Sequence, residues 1–387
     1  MTQRIRLTRE GIYYLFVLLF VMGGAVFREV NLLLVISAIM IGPIVFSWRL
    51  VAASLNRLQI ERKLPKTMAV NQPFTVTLTV ANGRWRLPTW GLHLHDTVQS
   101  RNPSLPTTTS VAKTFVPCVS AQSSESVEYS VRPTRRGRLR FKSLTASTQF
   151  PWGFVTGRRI ESQHEEVIVT PRIGTLTSRW MQLIGAAQAS HQATERQRWS
   201  GKRRGVADGD YYGLRQWRAG DSSRWIHWRT SAKIGGLAVL QFEQRPQQDL
   251  DLLLDLWLPE KPDSSHLVAL ERAIEFATTA IADLGRRGIG KLHVTIAGVD
   301  QQVFERAATQ WFAGEILEYL AEVQGGRGIH AALLEARTAA ARRSSRIVVI
   351  STRSQNAIAP DRGLSGCEWI DVSAPQVSGY FQGADPS

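Results

Sequence analysis

Residues Ile12 to Phe27 and Leu32 to Trp48 form two almost uninterrupted apolar runs, and only Arg28-Glu29-Val30-Asn31 separates them. At about 1.5 Å of rise per residue, each run comes close to the roughly 30 Å hydrocarbon core of a bilayer. Helices satisfy their own backbone hydrogen bonds, so two of them joined by a tight turn make a stable hairpin in lipid. The expectation is two transmembrane helices, about 11–27 and 31–48, within an anchor spanning 1–57. Arg4, Arg6 and Arg9 precede the first run, and Arg49, Arg57, Arg62 and Lys63 follow the second. The turn carries one Arg beside one Glu, so the positive-inside bias places both termini and the soluble domains in the cytoplasm. A cleaved signal peptide fits less well: no small-residue cleavage site leads into a polar mature start, and a second span follows at once.

The 387 residues leave room for two ordinary domains beyond the anchor. A formal net charge of +15 points to anionic contacts, whether lipid headgroups, nucleic acid or an acidic protein face. Cys118 and Cys367 lie far apart and outside any zinc spacing, which suits a reducing compartment without a disulfide.

From Leu58 the texture becomes that of half-buried strands. Phe74-Thr-Val-Thr-Leu-Thr-Val80, Gly91-Leu-His-Leu-His95 and Glu125-Ser-Val-Glu-Tyr-Ser-Val131 alternate apolar and polar positions, with turn formers between them. Short strands at this spacing predict an immunoglobulin-like β-sandwich over 58–171. The run Arg132-Pro-Thr-Arg-Arg-Gly-Arg138 reads as a solvated edge strand that discourages pairing with other chains, with a partner or phosphate site as the alternative. His93 and His95 share one strand face and lack a third ligand, so they read as surface or satisfied histidines.

A basic connector follows over 172–237. Ser178 to Ala189 has the pattern of a short helix packed by Trp180, Leu183 and Ile184. From Glu195 to Arg245, eleven Lys/Arg face five Asp/Glu, interleaved with aromatics. Such a mixture can grip nucleic acid, but anionic lipid or an acidic protein accounts for it equally well beside a membrane.

Within this connector, residues 213–233 concentrate three Trp and five cations around a Gly220-Asp221 turn. Gly220 is suited to a positive φ, and Asp221 to capping a helix that starts at Ser222-Ser223. Arg215, Arg218 and Arg229 could clamp Asp221 or another carboxylate. Trp228 is expected to bury with its indole N–H on an acceptor, and His227 could titrate near neutrality. The block is therefore an ionic and aromatic clasp or a docking surface for a partner. Asp221, His227 and the Ser222/Ser223 pair lie too close in sequence for a hydrolytic triad.

This block resembles the signature of domain-of-unknown-function family 58, a set of bacterial proteins. Gly213, Arg215, Trp217, Gly220, Asp221, Arg224, Ile226, His227, Trp228, Ser231, Ala232 and Lys233 fall on its pattern. The Arg-Gly strand start and the Phe150-Pro-Trp-Gly-Phe154 turn are similar to the family too, although Phe150 stands where the family has an acid.

The last segment, 238–387, alternates strands and helices. Strands are expected at Ala238–Phe242, Leu250–Trp257, Leu292–Ile296, Arg346–Ile350 and Trp369–Val372, with helices at Leu267–Gly285, Ala308–Val323 and His330–Arg343. That order implies an α/β parallel sheet covered on both faces. The family resemblance implies a von Willebrand A-like (Rossmann-like) domain, whose first long strand often ends in an Asp-x-Ser-x-Ser turn for Mg²⁺ or Ca²⁺. Here Asp255 matches, but Trp257 and Pro259 replace both serines, and Ile350-Ser-Thr-Arg353 lacks the expected acid. The site is degenerate, so no metal or other cofactor is expected, though Asp263, Ser264 and Ser265 could lend oxygens.

The leading functional expectation is a non-enzymatic, multi-pass inner-membrane protein that scaffolds or docks a protein partner. The resemblance implies a MoxR-type AAA+ ATPase as that partner, in chaperone-like maturation or envelope homeostasis. A metal-assisted hydrolase and a nucleic-acid or anionic-lipid binder are the alternatives, and no small-molecule substrate is evident.

Overall fold

The structure is a computed structural model that describes residues 2–28, 31–185, 210–219, 221–243, 250–288, 290–327, 335–336, 338, 347–354 and 367–383. The chain divides into two compact units, Met1–Pro171 and Arg172–Ser387.

The first unit begins with a strand that hydropathy hides, β1 (Thr2–Leu7). Thr8 ends it and caps α1 (Arg9–Phe27), its Oγ1 accepting the Gly11 N–H at 3.0 Å. A second helix, α2 (Asn31–Leu55), runs on past Trp48 to Leu55. Both helices are long and apolar enough to cross a membrane. Their flanks leave Phe16 and Phe20 at 70% and 76% exposure, a surface that water would not favour.

The strands that follow are β2 (Leu58–Lys63), β3 (Thr67–Ala69), β4 (Phe74–Asn82), β5 (Thr89–Arg101), β6 (Thr108–Val119), β7 (Ser124–Val131), β8 (Gly137–Thr148), β9 (Val155–Glu161) and β10 (Glu165–Thr170). Seven strands form one sheet along β1-β9-β8-β10-β3, with β5 joining both β8 and β6. The other sheet is β2-β4-β7. Alternation decides which face is buried: Leu58, Ile60, Val76, Leu78 and Val80 of the small sheet meet Leu92, Leu94, Leu139, Phe141 and Leu144 of the large one. The result is two sheets around one core, as the strand pattern predicts.

The helical hairpin is built into this core. Leu55 of α2 belongs to it. A Cβ at Gly157 of β9 would come within 2.5 Å of Val51 and 2.8 Å of Leu55, so the missing side chain is what lets α2 lie on the sheet. Around α1, the Thr8 N–H donates to Phe154 O at 3.0 Å, and the Tyr14 and Phe154 rings are 4.4 Å apart.

Two arginine expectations change. Arg62 does not supply surface charge after the second span: it is buried, with Nε and Nη2 on Asp96 at 2.9 and 2.7 Å. Tyr129 also donates to Asp96, at 2.6 Å, so the network ties β2 and β7 to β5 across the two sheets. Burial first, and then the Asp96 bond, hold the Tyr129 hydroxyl protonated far above its ordinary range. The Arg132–Arg138 run is not an edge strand either. It leads into β8, which pairs with β5, β9 and β10; Arg136 is 2% exposed, and Arg138 and Arg140 both hold Glu166.

The second unit opens with β11 (Thr175–Leu176) and a helix α3 over 178–185. Trp180 is fully buried there and meets the Phe276 ring edge-on. Residues 186–189 of the expected helix, and the basic run Arg196–Arg204, lie outside the described residues. Next come β12 (Asp210–Gln216), a 3-10 turn (Ser223–Trp225), α4 (Trp228–Ile234) and β13 (Ala238–Glu243). The remaining elements are β14 (Leu250–Asp255), α5 (Ser264–Arg287), β15 (Lys291–Ala297), β16 (Gln301–Ala307), α6 (Gln310–Glu322), β17 (Ile347–Ser351), β18 (Cys367–Asp371) and β19 (Phe381–Gln382). The main sheet runs β16-β15-β14-β17-β18, parallel except for β16. Polar, exposed Gln301–Ala307 carries no strand signal, which is why this antiparallel edge is invisible in the sequence.

Every residue of β14 is buried, as a strand covered on both faces requires. The larger core packs Leu252 and Leu254 against Ile274, Phe276 and Ile281 of α5 and Ile316 and Leu320 of α6. The smaller one packs Leu253 and Val349 against Ala336. Of the helix expected over 330–343, only Glu335, Ala336 and Thr338 are described, and all three are helical.

Candidate functional site

The signature segment folds as a small antiparallel hairpin with a helix set into it. Strands β12 and β13 pair from Asp210↔Glu243 to Gln216↔Ala238, with an irregularity between Tyr211 and Gly213. Arg215 is bidentate on Asp221, at 2.6 and 2.7 Å, and the Arg218 N–H adds a third bond at 2.8 Å. These contacts, the Arg215 bond first, pull the Asp221 carboxyl down to about 2. Asp221 therefore closes a turn instead of capping a helix. Ser222 caps the 3-10 turn, and His227 caps α4, with the Thr230 N–H and hydroxyl on its Nδ1 at 3.3 and 2.8 Å. Gly220 lies outside the described residues.

Below the turn, backbone and hydroxyl bonds hold α4 to β13. The His227 N–H donates to Ala238 O at 2.8 Å, and Ser231, buried, accepts the Ala238 N–H at 2.9 Å. Gly235 ends α4 in the left-handed region at φ 70°. The clasp is thus made by Arg215, Asp221, His227 and Ser231, with Ile226 bridging to Val239.

The aromatic half of the expected clasp points elsewhere. Trp228 is 64% exposed and Trp217 is 39% exposed, so neither locks the segment by burial. The start of α4 turns Trp228 and Arg229 outward, because Ser231 is the residue on the buried side. Arg218, Arg224 and Lys233 are also exposed, and so are Leu214, Ile234 and Leu237. Asp221 and His227 have separate partners: both Asp221 oxygens are held by Arg215, and His227 Nδ1 is bonded by Thr230.

In the main sheet, β14 ends at Asp255, which is 1% exposed. Its Oδ2 accepts from Ser351 Oγ at 2.7 Å and from Arg353 Nε at 3.2 Å. The Arg353 guanidinium lies over the Trp257 ring, 5.0 Å from its centroid. A guanidinium on the carboxylate and an indole in place of a serine leave oxygen donors in short supply there for a divalent ion. Arg353 reaches Asp255 because β17 pairs with β14 from Asp251↔Ile347 to Asp255↔Ser351; the missing acid at this strand end is legible in the sequence, and the ion pair that replaces it is not. Among the described residues, no three His, Cys, Asp or Glu side chains cluster as metal ligands would.

A cleft of about 610 Å³ opens beside this pair, between the β14 and β17 ends, where the strand order reverses direction. Crevices at such a switch point are where parallel α/β sheets bind ligands. His266, Arg272 and Arg353 line it with Ser264, Thr352 and Ser373. Asp263 caps α5 above it, drawn down to about 2, chiefly by the His266 N–H.

Comparison with protein-family models and with curated proteins finds no match. Among solved structures, a β-glucosidase from Listeria innocua in complex with gluconolactone aligns at 13% identity and a TM-score of 0.22, over 29% of this chain and 16% of that one. The CARDB domain of PF1109 from Pyrococcus furiosus aligns at 15% identity and 0.20, over 29% and 94%. A superoxide reductase (neelaredoxin) variant from Ignicoccus hospitalis aligns at 13% identity and 0.20, over 30% and 86%. The chain thus spans only a small part of the β-glucosidase, and likenesses this slight carry no argument about fold or activity.

Proposed function

We propose that this chain is a membrane-anchored interaction protein, with α1 and α2 as its transmembrane hairpin and the signature segment as its docking surface. The observation that carries the docking reading is the outward Trp228, flanked by Arg229 and Arg224 on a unit already locked by Arg215 and Asp221. Arginine and tryptophan are the side chains that dominate protein–protein binding energy, and a locked scaffold presents them at little entropic cost. The anchoring reading draws support from the hairpin itself: β1 before α1 and Leu55 at the end of α2 both join the sandwich, so its two ends lie on one side. The positive-inside bias of Arg4, Arg6, Arg9 and Arg49 makes that side cytoplasmic.

The sandwich reads as immunoglobulin-like, and the second unit's sheet as von Willebrand A-like with its cation position taken by Arg353. On that reading no metal or other cofactor is needed, and the chain is not an enzyme. The resemblance to domain-of-unknown-function family 58 suggests an AAA+ ATPase of MoxR type as the docked protein. Nucleic acid is the lesser reading.

Full-length protein, purified from detergent-solubilised membranes, tests this by what accompanies it. Trp228→Ala with Arg229→Ala should leave the unfolding transition in place and remove the ATPase from the purified complex. Undiminished co-purification would refute the docking surface.

A further inference from the structure

We propose that the outer face of the β1–β9 edge binds the phosphate of acidic phospholipid headgroups in the leaflet from which α1 departs. The proposal rests on the reading that α1 and α2 span a bilayer. Strand β1 is the edge of the large sheet, and its register with β9 places Arg4 directly opposite Arg158 and Arg6 opposite Thr156. Like charges facing each other across a ladder repel, and an anion between them relieves that repulsion. A cleft of about 240 Å³ lies here, lined by Arg4, Arg6, Leu7, Thr156, Arg158 and Ile160.

The two faces of this edge are treated differently by the fold. On the inner face Arg159 bonds Glu161 at 2.6 Å and the Leu55 carbonyl at 2.8 Å, under the end of α2. On the outer face the side chains of Arg4, Arg6 and Arg158, which line the cleft, make no hydrogen bond or ion pair among the described residues. No acid points outward from β1, β5, β6, β8 or β9, since Asp96 and Glu161 are buried on the other side. Glu166, on β10, is already held by Arg138 and Arg140. His95, two strands from β9 on the outer face, is held below its ordinary range, first by burial and then by repulsion from Lys113, His93 and Arg158.

Position identifies the ligand's source. Counted along an extended strand, Arg6 lies roughly 7 Å and Arg4 roughly 13 Å from the Thr8 cap of α1. Beside them the Phe150–Phe154 turn packs on the helices, Phe154 against Tyr14 and Trp152 against Phe46, at 4.4 and 5.8 Å. Trp152 and Trp90 remain partly exposed at this end, as side chains of the headgroup zone do. The arginine face therefore sits at headgroup level, where phosphate is abundant.

Native mass spectrometry of the full chain in mild detergent, with phosphatidylglycerol or phosphatidylcholine added, tests the site. Wild type should retain phosphatidylglycerol preferentially. Arg158→Gln, which spares the residues flanking the spans, should weaken that retention about fivefold. Arg140→Gln, removing a paired cation on the same face, should leave it unchanged. Equal retention by wild type and Arg158→Gln, equal loss in Arg140→Gln, or equal binding of phosphatidylcholine would each overturn the proposal. Extraction by alkaline carbonate separates the two premises: a chain that washes off refutes the anchor, and one that stays but ignores phosphatidylglycerol refutes only the arginine site.

Discussion

Replacing Asp96 by alanine should cost the first unit about 3–5 kcal/mol, far more than the salt bridge itself contributes. Arg62 and Asp96 are both buried, with their nearest atoms 2.7 Å apart. At an effective dielectric of about 20, charges about 3 Å apart attract by roughly 5 kcal/mol. Taking each ion out of water costs several kcal/mol, so the intact pair nets little. Removing the carboxylate changes that balance. The Arg62 guanidinium stays against the Phe141 ring, 5.0 Å from its centroid, with only the Gln163 carbonyl at 3.4 Å and the half-exposed Glu165 at 3.8 Å for company. Tyr129 loses its acceptor as well. For a unit of this size the loss corresponds to a fall of roughly 6–20 °C in the first unit's transition. Differential scanning fluorimetry of the full chain in detergent reads it. The companion variant Arg62→Met with Asp96→Leu and Tyr129→Phe removes every polar member together and should return to within about 1 kcal/mol of wild type. An Asp96→Ala protein melting within 2 °C of wild type, or a triple variant no better than the single one, would refute the reasoning.

The signature turn should depend on pH in one direction. Asp221 is held down to about 2 by Arg215, below the ordinary carboxylate range, so its contribution is complete above about pH 4 and is lost as pH falls through 2. Protection of the Asp210–Gln216 amides against hydrogen exchange, relative to their intrinsic rates, should fall in wild type as pH drops through that window, and above about pH 4 it should be lower in Asp221→Asn than in wild type. Arg353→Ala should destabilise the second unit by about 3 kcal/mol, because the buried Asp255 carboxylate would lose the guanidinium that pairs with it beside Ser351; urea unfolding measures it. Trp228→Ala should change stability by no more than about 0.5 kcal/mol, since the side chain is mostly exposed, and a large fall in melting temperature would restore the buried-clasp view.

What the sequence determined on its own is the part of the protein that depends on local pattern. Two apolar runs specify a helical hairpin because their length and hydropathy are properties of contiguous residues. Alternation in Phe74–Val80 and a continuous apolar run in Leu250–Leu254 specify a half-buried and a fully buried strand for the same reason. The Arg215–Asp221 clamp was within reach because its partners are six residues apart.

Tertiary structure decided whatever depends on partners distant in sequence. Polar β1 is a strand only because β9, some 150 residues away, offers it a ladder. Arg62 looks like a flanking surface charge until the sandwich closes and puts Asp96 against it. The arginine beside Asp255 arrives with β17, whose place next to β14 is set by packing on both faces of the sheet. Trp228 reads as a core residue by its hydrophobicity, yet the cap at His227 and the buried Ser231 fix the helix phase that turns it outward. Hydropathy measures what a side chain prefers, whereas burial is settled by which face of its element the neighbouring contacts leave open.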